Sequence, residues 1–350
     1  MDIQLTTALG KEVPLNNITK ELKALFSADT SRTNACLMNF AVYTENTENL
    51  HQNFRRIARL TENHTCRALS IALDKDADEE SITSWVTAHC NMSNGKKTVC
   101  CEQLTFLLKG LVAGRLRNTL FANLNSDLPL VFWWQGDLTP RFEQRLYTLI
   151  DRFIFDSSEW STPKKSYETV LAAATEVQRR FIIQDLAWTR SYYMRVAFAS
   201  IFDEAIAKKE AENIRSVSVI VGEGYYTTGA LLLAWLVRQM KWTLNEKLSE
   251  EEFIFETPTG AFVFANLKEE GAVPVSELGV ASEVASFLVH QPEGAMYIEQ
   301  VSQLGENVSH LTTNTGKSDR LSLVADQLAR GGSNTLLKKV LPMFLKLLPS

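Results

Sequence analysis

The sequence is poor in the residues from which most active sites are assembled: its 350 positions hold five histidines and five cysteines, and no cysteine follows Cys101. Scarce histidine leaves few general acids and bases near neutral pH. His290 stands beside a turn and His310 in a polar stretch, and neither neighbours an evident nucleophile. The odd cysteine set (Cys36, Cys66, Cys90, Cys100, Cys101) argues against a complete disulfide framework, so reduced thiols are expected. A P-loop, a zincin helix, an EF-hand loop and a Gly-x-Ser-x-Gly elbow are all missing. No run of about twenty residues is free of charge, and "MDIQLTTALGKEVPLNN" has no basic segment leading into an apolar one. The expectation is a cytoplasmic protein without a membrane partner. A net charge of -5, with no dense basic cluster among aromatics, argues against a nucleic-acid partner.

What is present is an ordinary globular composition, 45% hydrophobic and 22% charged, on a chain longer than one core usually covers. Short apolar runs alternate with amphipathic stretches from about residue 35. This predicts an α/β fold of two lobes, each a largely parallel or mixed sheet flanked by helices in Rossmann-like layering. Strands are read at "ACLMNFAVY", "CRALSIAL", "SITSWVTAHC", "KTVCCEQLTFLL", "LPLVFWWQGD" and "FIFDSSEW", with a hairpin turn at Asn94-Gly95. Leu50, Phe54, Ile57 and Leu60 mark one helix face; further helices are read at "GLVAGRLRNTLFANL" and, opened by Pro140, "PRFEQRLYTLIDR". The first lobe spans 1–160. A helical connector over 161–212 carries a helix face through Tyr167, Val170, Leu171, Ala174, Val177 and Phe181, followed by two more helices from Asp185. The second lobe, 213–350, begins with "IRSVSVIVGEG" and the apolar helix "GALLLAWLVRQM", followed by hairpins about Pro258–Gly260 and Pro292–Gly294 and by terminal helices.

Each chemical candidate has a plainer alternative. The turn at Gly222–Gly229 follows a strand and opens a helix, as a dinucleotide fingerprint does, but Thr227 stands where the third glycine belongs. A sugar-phosphate or nucleotide binding protein using this turn is the alternative functional reading. His64, Cys66, His89 and Cys90 form the one metal-like grouping, at a spacing unlike zinc sites; buried strand thiols are the plainer reading, so no metal or cofactor is expected. Adjacent Cys100 and Cys101 would face apart in a strand. Carboxylates in "QGD" and "DSSEW" follow strands whose C-terminal ends share one edge in a parallel sheet, where open α/β folds bind ligands. Capping of the next helices by Asp137, Asp156 and Ser157 is the favoured reading, from their helix-start chemistry. The basic, apolar "LLKKVLPMFLKLL" docks on its own domain rather than on a membrane.

Three blocks, "SDLPLVFWWQGD" with "RLYTLIDRFIFDSSEW", then "DLAWTRSYYMRVAFASIFD", then "GALLLAWLVRQMKW", resemble in order and spacing the glucose-6-phosphate dehydrogenase assembly protein (OpcA) family. "CLMNFAVY", "VCCEQLTF" and "RLSLVADQLARGG" support this, so the resemblance runs from about residue 30 to 335. It implies a protein that is not an enzyme and that binds glucose-6-phosphate dehydrogenase, the NADP-dependent entry enzyme of the oxidative pentose phosphate pathway, promoting its assembly or activity. Redox control through a C-terminal thiol does not carry over to a chain without cysteine after Cys101. The contact or motif residues expected on this reading are Trp133, Trp134, Gly136 and Asp137; Asp156, Ser157, Ser158 and Glu159; and Asp185, Trp188 and Arg190. Packing competes with contact at each of them, since neighbouring indoles in a strand face opposite sides and each can lie beneath a helix.

Overall fold

The computed structural model describes residues 9–27, 32–34, 36–93, 97–110, 115–177, 181–330 and 334–349. The chain divides into two compact units, residues 1–155 with 170–184 and residues 156–169 with 185–350.

In the first unit β1 (Lys11–Glu12), β2 (Arg32–Asn34), β3 (Asn39–Thr44), β4 (Arg67–Asp74), β5 (Ser81–Ser93), β6 (Lys97–Lys109), β7 (Leu130–Gln135), β8 (Arg152–Phe155) and β9 (Ile182–Asp185) form a nine-stranded sheet. Its order is β1-β5-β6-β4-β3-β7-β8-β9, with β2 beside β6. The run β6-β4-β3-β7-β8 is parallel, while β5 is antiparallel to β6 and β1 to β5. Every residue of β3 and β7 is buried, as expected of parallel strands covered on both faces. Helix Asn49–Leu60 buries Leu50, Asn53, Ile57 and Leu60, and Phe54, partly buried, packs against the same core cluster, so the polar Asn53 shares the inward face with the expected apolar residues. Asn53 is accommodated because its amide and that of Gln135 exchange two 2.9 Å hydrogen bonds, leaving neither buried amide without a partner.

In the second unit β10 (Ser216–Gly222), β11 (Thr243–Lys247), β12 (Glu252–Glu256), β13 (Phe262–Gly271), β14 (Glu277–Ala281), β15 (Ala285–His290), β16 (Tyr297–Leu304) and β17 (Asn307–Asn314) form an eight-stranded sheet. The order is β11-β12-β13-β10-β14-β15-β16-β17, and β10 with β13 is parallel among otherwise antiparallel pairs. Burial alternates along β15, as in a sheet with one covered face. Helix Tyr226–Gln239, buried continuously from Thr227 to Val237, packs on β10 and β13. A helix apolar all round belongs at the centre of a core. Around it lie the 3₁₀ turn Ser157–Glu159, the short helix Leu186–Arg190 and the C-terminal helix Thr335–Leu347.

Several expectations are corrected. The region "PRFEQRLYTLIDR" forms a helix only over Gln144–Tyr147, because Phe142 is drawn into a ring cluster with Trp134, Tyr147 and Phe153. Ile182–Asp185 is a fully buried strand within the stretch read as helical, and the chain after it forms three helices, Leu186–Arg190, Tyr192–Ile201 and Ala205–Glu210, not two. β8 stops at Phe155, where the Asp156 side chain caps the following turn. The expected hairpin turn at Asn94-Gly95 lies outside the described residues. Cys90 and Cys100 are joined in a disulfide, against the expectation of reduced thiols: the β5–β6 register sets the two directly opposite each other. Cys36, Cys66 and Cys101 stand outside the disulfide as thiols.

Candidate functional site

The β7 end of the first unit is built from aromatic packing. Trp133 and Trp134 are each 1% exposed, one on either side of the strand. Register sets Trp134 opposite Tyr43, with ring centroids 4.6 Å apart, and Phe142 closes on it edge-on at 6.1 Å. The indole Nε1 donates to the Asp137 carbonyl oxygen at 2.8 Å, so the buried ring also holds the turn that leaves the strand. Gly136 has φ +78° with open space where a Cβ would sit, the left-handed position that glycine takes without cost. Asp137 is exposed. The outward surface here is therefore Gly136–Asp137, while both indoles belong to the core.

The second unit gathers the other block residues into one buried polar node. Asp156 and Arg190 form a two-pronged ion pair, Nη2 to Oδ2 at 2.5 Å and Nη1 to Oδ1 at 3.3 Å, with both side chains 4% exposed. Arg190 also donates to Thr228 Oγ1 at 3.2 Å and lies 4.8 Å over the Tyr225 ring. Ser158 donates its amide and hydroxyl to Asp156 Oδ1. Asp185 accepts from the Ser157 amide at 3.1 Å, the Ser157 hydroxyl at 2.6 Å, the Ala187 amide at 2.9 Å and the Tyr167 hydroxyl. The Thr189 hydroxyl donates to the Asp185 carbonyl and receives Gln327 Nε2 at 2.6 Å. Glu159 pairs with Arg320. Asp185 and Arg190 do not pair with each other: Arg190 takes Asp156, and Asp185 caps helix Leu186–Arg190.

Two carboxylates buried together must differ in proton affinity. Burial alone would raise Asp156, but the Arg190 guanidinium outweighs it and holds this carboxyl below the usual range. Among the described residues Asp185 forms no ion pair, and burial and the Asp156 charge push it up to about 6 although its hydrogen bonds pull the other way. Burial and Asp185 drive Tyr167 far above the ordinary phenol value, so it stays a donor. Thr228 and Gln327 were not singled out from the sequence, and Tyr167 was read only as part of a packing face. Tyr167 sits in an apolar helix stripe, and a hydroxyl on such a stripe is the available sign of a buried acceptor.

At the glycine turn, the Tyr226 amide at the start of the long helix already donates to Glu269 Oε1 at 3.0 Å. A carboxylate thus stands where a phosphate would bind. Gly229 is a packing glycine: a Cβ there would meet Leu267 Cδ1 at 2.4 Å. Of the metal-like grouping, Cys90 is spent in the disulfide and His89 Nε2 is 2.6 Å from Gln103 Oε1. Among the described residues no helix is long and apolar enough to cross a membrane.

Residues 58–172 match the family model for the N-terminal domain of the glucose-6-phosphate dehydrogenase subunit, and residues 182–341 match the model for its C-terminal domain. No curated protein matches the chain in sequence. Among solved structures, a mutant of KijD10, a 3-ketoreductase from Actinomadura kijaniata in complex with TDP-benzene and NADP, is similar at TM-score 0.50 and 9% identity, over 89% of this chain and 95% of that one. The open conformation of KijD10 gives TM-score 0.50 and 8% identity over 89% and 96%. At such identity these likenesses show the fold alone. The aldose-aldose oxidoreductase from Caulobacter crescentus, at TM-score 0.44 and 11% identity over 89% and 94%, is more distant.

Proposed function

The chain belongs to the glucose-6-phosphate dehydrogenase assembly (OpcA) family, and from that membership we propose that it is a non-catalytic cytoplasmic protein that binds the dehydrogenase and favours its active oligomer or conformation. The observation that carries this reading is the match of both family domains across residues 58–172 and 182–341. The site geometry supports it. Asp156, Ser157, Asp185 and Arg190 are consumed by one another inside the second unit, which suits a scaffold more than a reaction centre. Asp137, exposed on a turn held by a buried indole, is the block residue best presented to a partner.

Activation by such a partner is linkage: it shifts the dehydrogenase equilibrium by its differential affinity for the two states and by nothing more. A tenfold shift needs about 1.4 kcal/mol, within reach of a few well-placed contacts. The test is to titrate the protein into its cognate dehydrogenase while following NADPH formation and oligomer size. The expected result is a saturable rise in rate or in size, and no change in either overturns the reading.

A further inference from the structure

Arg195, in helix Tyr192–Ile201, is 7% exposed. Its Nε donates to Ser191 Oγ at 3.2 Å, its Nη2 donates to the Trp188 carbonyl oxygen at 3.0 Å, and its guanidinium lies 3.3 Å over the Trp188 ring. All of these partners are neutral. Among the described residues Arg195 has no ion pair, and its hydrogen bonds use Nε and Nη2, leaving Nη1 unused. Burial and the nearby Arg330 push its ionisation down to about 9, which still leaves a full positive charge at neutral pH. A buried cation without an anion is costly, and structures retain one where an anion completes it. The second guanidinium, Arg330, stacks 3.9 Å over Tyr192 and is 3.5 Å from Asp326.

We propose that Arg195 and Arg330 form a receptor for an oxyanion, the phosphate or carboxylate group of a ligand, taken up by Arg195 Nη1 and by the Arg330 guanidinium. A planar guanidinium offers donors in a fixed fork that fits two oxygens of such a group. The stacking on Trp188 and Tyr192 fixes both planes before the ligand arrives, so less order is lost on binding. The indole of the "DLAWTR" block then serves as the plate that holds Arg195 in place. The oxyanion can come from a free phosphate-bearing metabolite or from an acidic side chain of the docked dehydrogenase, and only the second source rests on the function proposed above.

The experiment uses the full chain at low ionic strength, as wild type, Arg195→Lys, which keeps the charge and loses the fork, and Arg330→Gln, at a side chain 40% exposed. Each is checked for folding by thermal melting, then titrated by calorimetry first with inorganic phosphate and then with the cognate dehydrogenase at rising salt. Saturable phosphate binding, weakened at least tenfold in both variants, supports the receptor with a small ligand as its source. No response to phosphate, with salt-sensitive dehydrogenase binding weakened at least fivefold in both variants, supports it with the partner's carboxylate as the source. Variants that keep wild-type behaviour in both titrations overturn it, as does a wild type that ignores phosphate while binding the dehydrogenase without help from either arginine. A wild type that never binds the dehydrogenase counts against the proposed function, and the phosphate titration then decides the receptor alone.

Discussion

The buried ion pair of Asp156 and Arg190 shows how much a single side chain can hold. Arg190→Ala would leave the Asp156 carboxylate buried with no cation, and breaking such a pair from one side costs about 3–5 kcal/mol. Urea unfolding should show a loss of that size, and a loss near zero would mean that water reaches Asp156. Asp185 makes a separate prediction through pH. Its carboxyl sits at about 6 in the folded chain because of burial and the Asp156 charge, against about 4 in an unfolded one. Between those values the folded chain holds the extra proton, so this group makes stability fall as pH rises from about 4 to 6. Asp156 acts in the opposite sense: lowered by Arg190, it contributes above the unfolded value and is lost as pH falls through its folded one. Urea midpoints measured across that window should lose the fall in Asp185→Asn, and an unchanged slope in the variant would assign it elsewhere. The residues of this node were legible in the sequence as "DSSEW" and "DLAWTR", but their pairing was not. Asp156 meets Arg190 across 34 positions of chain, and no local periodicity encodes that contact.

Elements with a strong local signal were read well. The apolar helix near Tyr226–Gln239, the Leu50 face and the two later hairpins follow from periodicity and turn chemistry. Elements set by tertiary contact were missed: β9 is four buried residues held by its sheet, and the Cys90–Cys100 link depends on the register between β5 and β6. Gly229 shows packing overriding propensity. Glycine to alanine inside a helix ordinarily stabilises by about 1 kcal/mol. Here the added methyl would strike Leu267 and Val221, both fully buried, so Gly229→Ala should instead destabilise by about 1–3 kcal/mol. A variant that melts above wild type would show that Leu267 can turn aside. For the hairpin, Cys90→Ser should lower stability by about 2–3 kcal/mol, since closing a loop of 10 residues restricts the unfolded chain. The reduced wild type should fall by the same amount, and a variant as stable as the oxidised protein would mean that the β5–β6 ladder alone sets the register.

At the scale of the whole molecule, a protein that activates by binding is bound by reciprocity. If it raises the affinity of the dehydrogenase for glucose 6-phosphate by some factor, then saturating glucose 6-phosphate must tighten its own binding by the same factor, because both describe one coupling free energy. Tenfold in one direction is tenfold in the other, about 1.4 kcal/mol each way. Calorimetry of the complex with and without the sugar phosphate measures the second factor, and equilibrium binding of the sugar phosphate to the dehydrogenase with and without this protein measures the first. Equal factors above one place the action on a shared conformational or oligomeric equilibrium. A faster dehydrogenase with both factors at one would move it to a step after binding. Asp137→Ala separates contact from scaffold within the same measurement. It alters an exposed carboxylate while the backbone carbonyl that receives Trp134 Nε1 is retained, so folding should be unchanged and dehydrogenase affinity should drop several-fold. Unchanged affinity would remove the β7 turn from the interface and leave the aromatic block as core packing only.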